Sequence, residues 1–324
     1  MFAIKYSIFL LALLAGTAAS AQFTDEINSN RPGESQSAFS VGKSVLQLET
    51  GIYGIREKHN LLGTEAAGIG AEFDLRWGLF YEQLELSLNT QYQTDSYTTA
   101  LGSERRNGFR QVTLGGKYLI YDPFKNREEK VNIYSWKANH KFSWKQFIPA
   151  VGVYAGFNLN FSNPYTFETD PNISPKLMVI TQNQFNGGYV VVTNIIADKI
   201  TSDFPSYGLI LTVTKGINEK WSAFLETQGY KSDYYADMLL RGGAAYLLRE
   251  NFQIDGSLAF NMKDTPSIFY GGVGISWRFD KNYKPVLIRS GKDKDKDKKG
   301  KKDKKKKKKR KDEVTPEVGP TTKP

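Results

Sequence analysis

The side chains able to do chemistry are scattered along the chain, and the first question is whether any of them form a reactive set. His140 and Ser143 have the types of a base and a nucleophile. Three positions apart on an extended chain they point to opposite faces, and neither has an evident acidic partner, so no triad is expected. His59 lies in the polar run Glu57-Lys-His-Asn60. With no cysteine and two histidines, thiolate zinc sites, iron–sulfur clusters and cysteine nucleophiles are all excluded. No metal or cofactor is expected, and the chain does not read as an enzyme. Gly68-x-Gly70 and Gly271-Gly-x-Gly274 are not phosphate loops, because no helix follows either; they read as strand glycines. What remains is a set of charges at alternating positions: Glu72, Asp74, Arg76, Glu85, Lys117, Glu226, Arg241, Asp255 and Arg278. Ahead of them stands Arg31, stiffened by Pro32, whose guanidinium fork suits bidentate contact with carboxylates.

The elements that position these charges follow a period of two. From Lys43 to Phe279, runs of about ten residues are separated by Gly, Asn, Asp and Pro clusters, and helical stripes are absent. Ala67, Ile69, Ala71, Phe73, Leu75 and Trp77 alternate with Gly68, Gly70, Glu72, Asp74 and Arg76. Leu84, Leu86 and Leu88 alternate with Glu85, Ser87 and Asn89, and the pattern recurs after Pro149 and again over Phe252–Asn261. One face is apolar and the other small, polar or charged. A soluble sandwich with one wet face and a transmembrane barrel with a polar lumen both produce this alternation. Length favours the barrel, since soluble strands run to about 6 residues and tilted membrane strands to about 9–11. Aromatic residues at segment ends, as in Trp77-Gly-Leu-Phe-Tyr81, Tyr118-Leu-Ile-Tyr121, Trp277 and Phe279, stand where interfacial girdles belong. The expected fold is all-β: a closed antiparallel transmembrane β-barrel of about 12 strands, an even count as single-chain bacterial barrels require.

Composition divides the chain further. The net charge of +10 is located in residues 291–312, where fourteen Lys and Arg310 outweigh five Asp; residues 22–290 are neutral. Mean hydropathy of −0.46 excludes a bundle of lipid-embedded helices. Lys5, the apolar run Ile8–Ala15 and the Ala19-Ser-Ala21 box read as a secretory leader, the alternative being a short anchor. The expected organisation is a signal peptide over 1–21, an N-terminal periplasmic arm over 22–42, a barrel over 43–280, and a disordered Lys-rich tail over 281–324, whose like charges repel and which lacks a core. Two irregular stretches, Asp122–Pro149 and Ser162–Pro175, suit long loops on the side of the barrel remote from the termini.

Several of these residues together resemble a known family. Asn30-Arg-Pro-Gly-Glu-Ser35, Val45-Leu-Gln-Leu-Glu-Thr-Gly51, Gly242-Gly-Ala-Ala-Tyr-Leu-Leu248, Phe252-Gln-Ile-Asp255 and Gly271-Gly-Val-Gly-Ile-Ser-Trp-Arg278 are similar to outer-membrane barrel transporters of the phenol-degradation meta-pathway type. The likeness spans about residues 28–280. It implies an outer-membrane location and the uptake or export of small hydrophobic or aromatic compounds. That family has Asp before the Arg-Pro pair, where this chain has Asn30. The final strand, Tyr270–Phe279, also resembles the terminal strand that such barrels present to their assembly machinery.

The functional expectation is a channel in the outer membrane of a Gram-negative bacterium, embedded in lipid, through which a small-molecule solute passes down its gradient, with Arg31 and the nine alternating charges as pore-lining candidates. The alternative is a structural or tethering barrel with a plugged lumen, whose periplasmic tail binds an anionic cell-wall polymer, anionic lipid head groups or an acidic protein by salt-sensitive attraction. Nucleic acid is not expected, since the tail has no aromatic residues for stacking. A soluble periplasmic β-protein is a third class.

Overall fold

The computed structural model describes residues 27–124, 144–161, 164–166, 170–185, 187–233, 235–263 and 265–280. The leader, the Lys-rich tail, His140 and Ser143 lie outside the described residues. The described residues form twelve strands: β1 (Leu46–His59), β2 (Thr64–Gly78), β3 (Leu84–Thr99), β4 (Gly102–Tyr121), β5 (Ala150–Leu159), β6 (Ile173–Phe185), β7 (Tyr189–Asp198), β8 (Ser206–Gly216), β9 (Trp221–Lys231), β10 (Ala236–Arg249), β11 (Phe252–Asn261) and β12 (Ser267–Phe279). Each pairs antiparallel with its neighbours in sequence, and β1 pairs with β12 from Leu46↔Phe279 to Lys58↔Ser267, so the sheet is closed and has no free edge. A one-turn 3₁₀ helix, Trp144–Phe147, precedes β5.

The alternation is resolved by turning the apolar set outward. Ile52 and Ile69 are 67% and 66% exposed, and Leu114, Phe157, Ile195, Leu225, Leu258 and Val273 share that outer face. A surface this apolar is stable only against hydrocarbon. Aromatic rings border the apolar band on both sides. At the end where β1 begins and β12 ends, Trp277 lies 4.4 Å from Phe279 and Trp221 4.8 Å from Tyr246, both pairs tilted. At the other end Tyr92 meets Phe109 edge-on at 5.3 Å, with Phe161 6.2 Å beyond. Trp277 and Phe269 mark the two borders on β12. They are separated by about 27 Å of strand, or about 20 Å of height once strand tilt is included, close to the lipid-facing band of known barrels.

Strand order corrects one expectation and adjusts another. The connection 122–149 leaves β4 and enters β5 at the end where β1 begins and β12 ends, not at the remote end, because β4 is an even-numbered strand of an up-and-down barrel. The connection 160–172 is at the remote end, as expected, but it stops short of Pro175. Pro175 is the third residue of β6 and pairs with Phe157.

The inner face is not uniformly polar. Leu119, Ala150, Tyr154, Met178, Ile180, Val192, Ile196 and Ile210 pack into an apolar cluster on β4 to β8, with Ala38, Phe39, Val190 and Tyr230 against it. Inward charges are concentrated on the other wall; on the arc itself Lys176 of β6 and Asp198 of β7 pair with each other at 3.7 Å. The lumen is therefore two-sided, apolar along one arc and charged along the other.

Candidate functional site

Residues 27–45 do not hang below the barrel. They enter at β12 and β1, circle the inside of the lumen, and leave at Val45, where strand pairing begins. Ser44 N–H reaches the Gly78 carbonyl at the end of β2, but from Asn30 to Val41 the peptide N–H groups that bond the wall have no backbone partner there, and buried donors must be satisfied. Wall side chains supply the acceptors. Glu49 accepts from the N–H groups of Asn30 (3.1 Å) and Arg31 (3.2 Å). Glu226 accepts from Glu34 N–H (3.0 Å) and Ser35 N–H (3.2 Å). Asn194 bonds both backbone groups of Gln36, Gln182 accepts from Ser37 Oγ and Ala38 N–H, and Glu85 accepts from Val41 N–H at 2.8 Å. Lys117 Nζ donates to Ser37 O at 2.9 Å, and Gln253 to Arg31 O at 3.3 Å.

Arg31 is the centre of this arrangement. Its guanidinium bridges the wall, pairing with Glu72 on β2 and, at 3.3 Å, with Asp255 on β11. It lies over Gly51 and Gly274, which are register partners on β1 and β12; a Cβ at either would overlap the guanidinium. The two glycines make a slot shaped for one side chain. Burial alone would lower the Arg31 pKa, but Asp255 and Glu72 outweigh it and hold the group above its ordinary value, so it stays charged. A Cβ at Gly33 would likewise come within 2.7 Å of Glu226 Oε2 and displace that carboxylate.

All ten predicted site residues are in the lumen, most of them bound to each other or to the arm. One chain of alternating charge crosses four strands: Glu49 to Arg76 at 2.9 Å, Arg76 to Glu85 at 2.8 Å, and Glu85 to Lys117 at 3.2 Å. Another is Glu72–Arg31–Asp255. A third joins Glu34 of the arm to Arg241 at 2.9 Å, with Glu226 3.9 Å from the same guanidinium. Asp74 accepts from Asn89, and Arg278 pairs with Asp280 at 3.8 Å. Asn30 closes the arm's own turn by accepting from Ser37 N–H at 3.1 Å, a bond that an Asp would accept equally.

Sequence reasoning missed three things here. Glu49, Asn194 and Gln182 hold the arm; they lie on inward positions of β1, β7 and β6, and the register of an alternating strand could have identified them. The apolar arc was signalled by Leu177–Ile180, Val190–Val192 and Leu209–Leu211, where both faces are hydrophobic. A cavity of about 840 Å³ lies between the arm and this arc, at the end of the barrel where β1 begins and β12 ends, lined by Ser29, Ser37, Phe39, Gln182, Val192, Thr212, Phe224 and Gln253. It offers apolar surface on one side and amide and hydroxyl groups on the other.

Solved barrels of similar form include an outer membrane channel from Pseudomonas putida, 13% identical, matching 78% of this chain and all of that one with a TM-score of 0.47. They also include the NanC porin (9% identity, 70% and 98% coverage, TM-score 0.45) and the translocator domain of the autotransporter NalP from Neisseria meningitidis (9%, 86% and 96%, 0.44). No curated protein matches the sequence. The family model described as "Putative MetA-pathway of phenol degradation" matches residues 29–279, from the start of the arm to the last residue of β12, and the chain belongs to that family.

Proposed function

We propose that this protein is an outer-membrane channel for passive passage of small molecules, with the luminal arm as its constriction. The observation that carries the reading is the arm itself, a segment held inside a closed, lipid-facing barrel mainly by polar side chains, with Ala38 and Phe39 as its contacts to the apolar arc. Hydrogen bonds and ion pairs of this kind can be exchanged for water one at a time, which suits a constriction that yields. The leader and the girdled apolar band support the outer-membrane location. The two-sided cavity beside the arm favours solutes with one polar and one apolar face, in keeping with the family's association with phenol degradation. A solute would enter from the remote end, pass the arm along the apolar arc and leave where β1 begins and β12 ends, the end this reading puts on the periplasmic side.

The density of contacts to the arm favours a second reading, in which the lumen stays plugged and the Lys-rich tail does the work by binding an anionic cell-wall polymer or an acidic partner. Flux into proteoliposomes separates the two. Passage of a small phenol ahead of a sugar of equal mass supports the channel; no passage of either supports the plug. Cell-wall co-sedimentation that disappears on deletion of residues 291–324 supports the tail's role.

A further inference from the structure

On the remote side of the arm the lumen narrows a second time. Tyr53 stands two residues beyond Gly51 on β1, about 7 Å along the strand from the Arg31 slot. Its ring lies across Gly70 of β2 and 6.0 Å from the ring of Tyr270 on β12. Arg110 comes from β4, with three strands of wall intervening, and its guanidinium reaches a point 5.5 Å from the Tyr270 ring centroid. The side chain thus spans the lumen. Its position is set by a β-bulge: Gln91 pairs with Gln111 and Tyr92 with Phe109, which leaves Arg110 as the extra residue. A bulge places successive side chains on one face and re-aims them. Here Arg110 reaches Gln93 inside the barrel at 3.2 Å, while the adjacent Gln111 also faces inward, bonded to Thr113.

Arg110 differs from the other luminal arginines in what surrounds it. Arg31, Arg76, Arg241 and Arg106 each pair with a carboxylate; Arg106 grips Asp95 with two bonds of 2.9 and 3.0 Å. Arg110 has an amide oxygen and tyrosines as neighbours, and none of the described carboxylates forms an ion pair with it. Its residue is exposed, whereas Gln93 and Tyr53 beside it are buried. A guanidinium held by neutral partners, the Gln93 amide oxygen and the Tyr53 and Tyr270 hydroxyls, keeps its full charge without a carboxylate among the described residues and is arranged to receive one through its fork, while the flanking phenol rings offer faces for a planar solute.

We propose that Arg110, set between Tyr53 and Tyr270, is a specificity-determining residue that binds the carboxylate of small aromatic acids entering the barrel. This rests on the channel reading above for its purpose, but not for its test, because binding does not require an open path. Calorimetric titration of the full mature chain in detergent, with benzoate and with its neutral isostere benzamide, reads it directly. Wild-type protein is expected to bind benzoate at least about tenfold more tightly than benzamide, the effect of one hydrogen-bonded charge. Arg110→Gln is expected to bind the two equally, and Arg110→Lys to fall between. Gel migration of unboiled samples reports whether each variant has folded. Equal binding of the two probes by wild-type protein, binding of neither, or a preference that survives in folded Arg110→Gln overturns the proposal.

Discussion

Removing the Arg31 side chain should release the arm while leaving the barrel closed. In Arg31→Ala the Glu72 and Asp255 carboxylates lose their shared cation; the Asp255 side chain has no exposed surface and that of Glu72 is 19% exposed. Deleting one partner of a buried pair costs about 3–5 kcal/mol, and the lower end applies because Glu72 can rehydrate. Glu49 and Glu226 still hold the peptide groups on either side, so the loss is confined to docking of the arm. A loss of about 3 kcal/mol changes the docked-to-free ratio by about a hundredfold. Hydrogen exchange reads this ratio, because local opening limits the exchange of protected amides. The amides of Asn30, Arg31, Glu34 and Ser35 should exchange about a hundred times faster, with the strand amides of β1 and β12 unchanged. Arg31→Lys keeps the charge but loses the fork, and should accelerate exchange by about tenfold. Unchanged exchange at these four amides in Arg31→Ala would refute the claim that the guanidinium anchors the arm.

Three further outcomes follow from the same geometry. Gly274→Ala keeps every charge but fills the slot under the guanidinium, and should expose the arm to limited proteolysis as Arg31→Ala does; an arm as resistant as wild type would show that the slot has slack. Arg76→Ala leaves Glu49 without a cation and Glu85 with Lys117 alone, and should lower the stability of the barrel by about 3 kcal/mol, the low end for breaking a buried pair, measured by urea unfolding in vesicles. Ile52→Arg puts a cation on the lipid face at the middle of β1 and should cost about 2–4 kcal/mol in the same assay, whereas a soluble β-protein would tolerate it.

Much of the fold was legible because one physical constraint acts on every strand. A wall one residue thick between lipid and lumen imposes a period of two, and the segments around Ile69, Leu86, Val153 and Leu258 display it without interruption. The pairing of Arg31 with wall carboxylates was also readable, since an arginine ahead of the first strand of a barrel that contains more acids than bases has a natural destination. The route of the arm was not. Its course depends on amides such as Asn194 and Gln182, which are ordinary strand residues until a backbone N–H is placed opposite them. Arg110 was hidden by its bulge, because one extra residue shifts the phase of alternation and makes neighbouring inward positions look like noise. The apolar arc escaped notice because runs such as Leu177–Ile180 look equally suited to a buried strand in a soluble protein, and only closure of the sheet assigns Met178 and Ile180 to the inside.

The claim that carries the rest is that solutes cross this barrel past a displaceable arm. Solute flux through proteoliposomes, measured side by side for the wild-type protein and Arg31→Ala, tests it most directly. The account predicts slow, selective passage in the wild type and faster passage in the variant. Vesicles that stay impermeable with both proteins, each shown by gel migration to be folded, would contradict it.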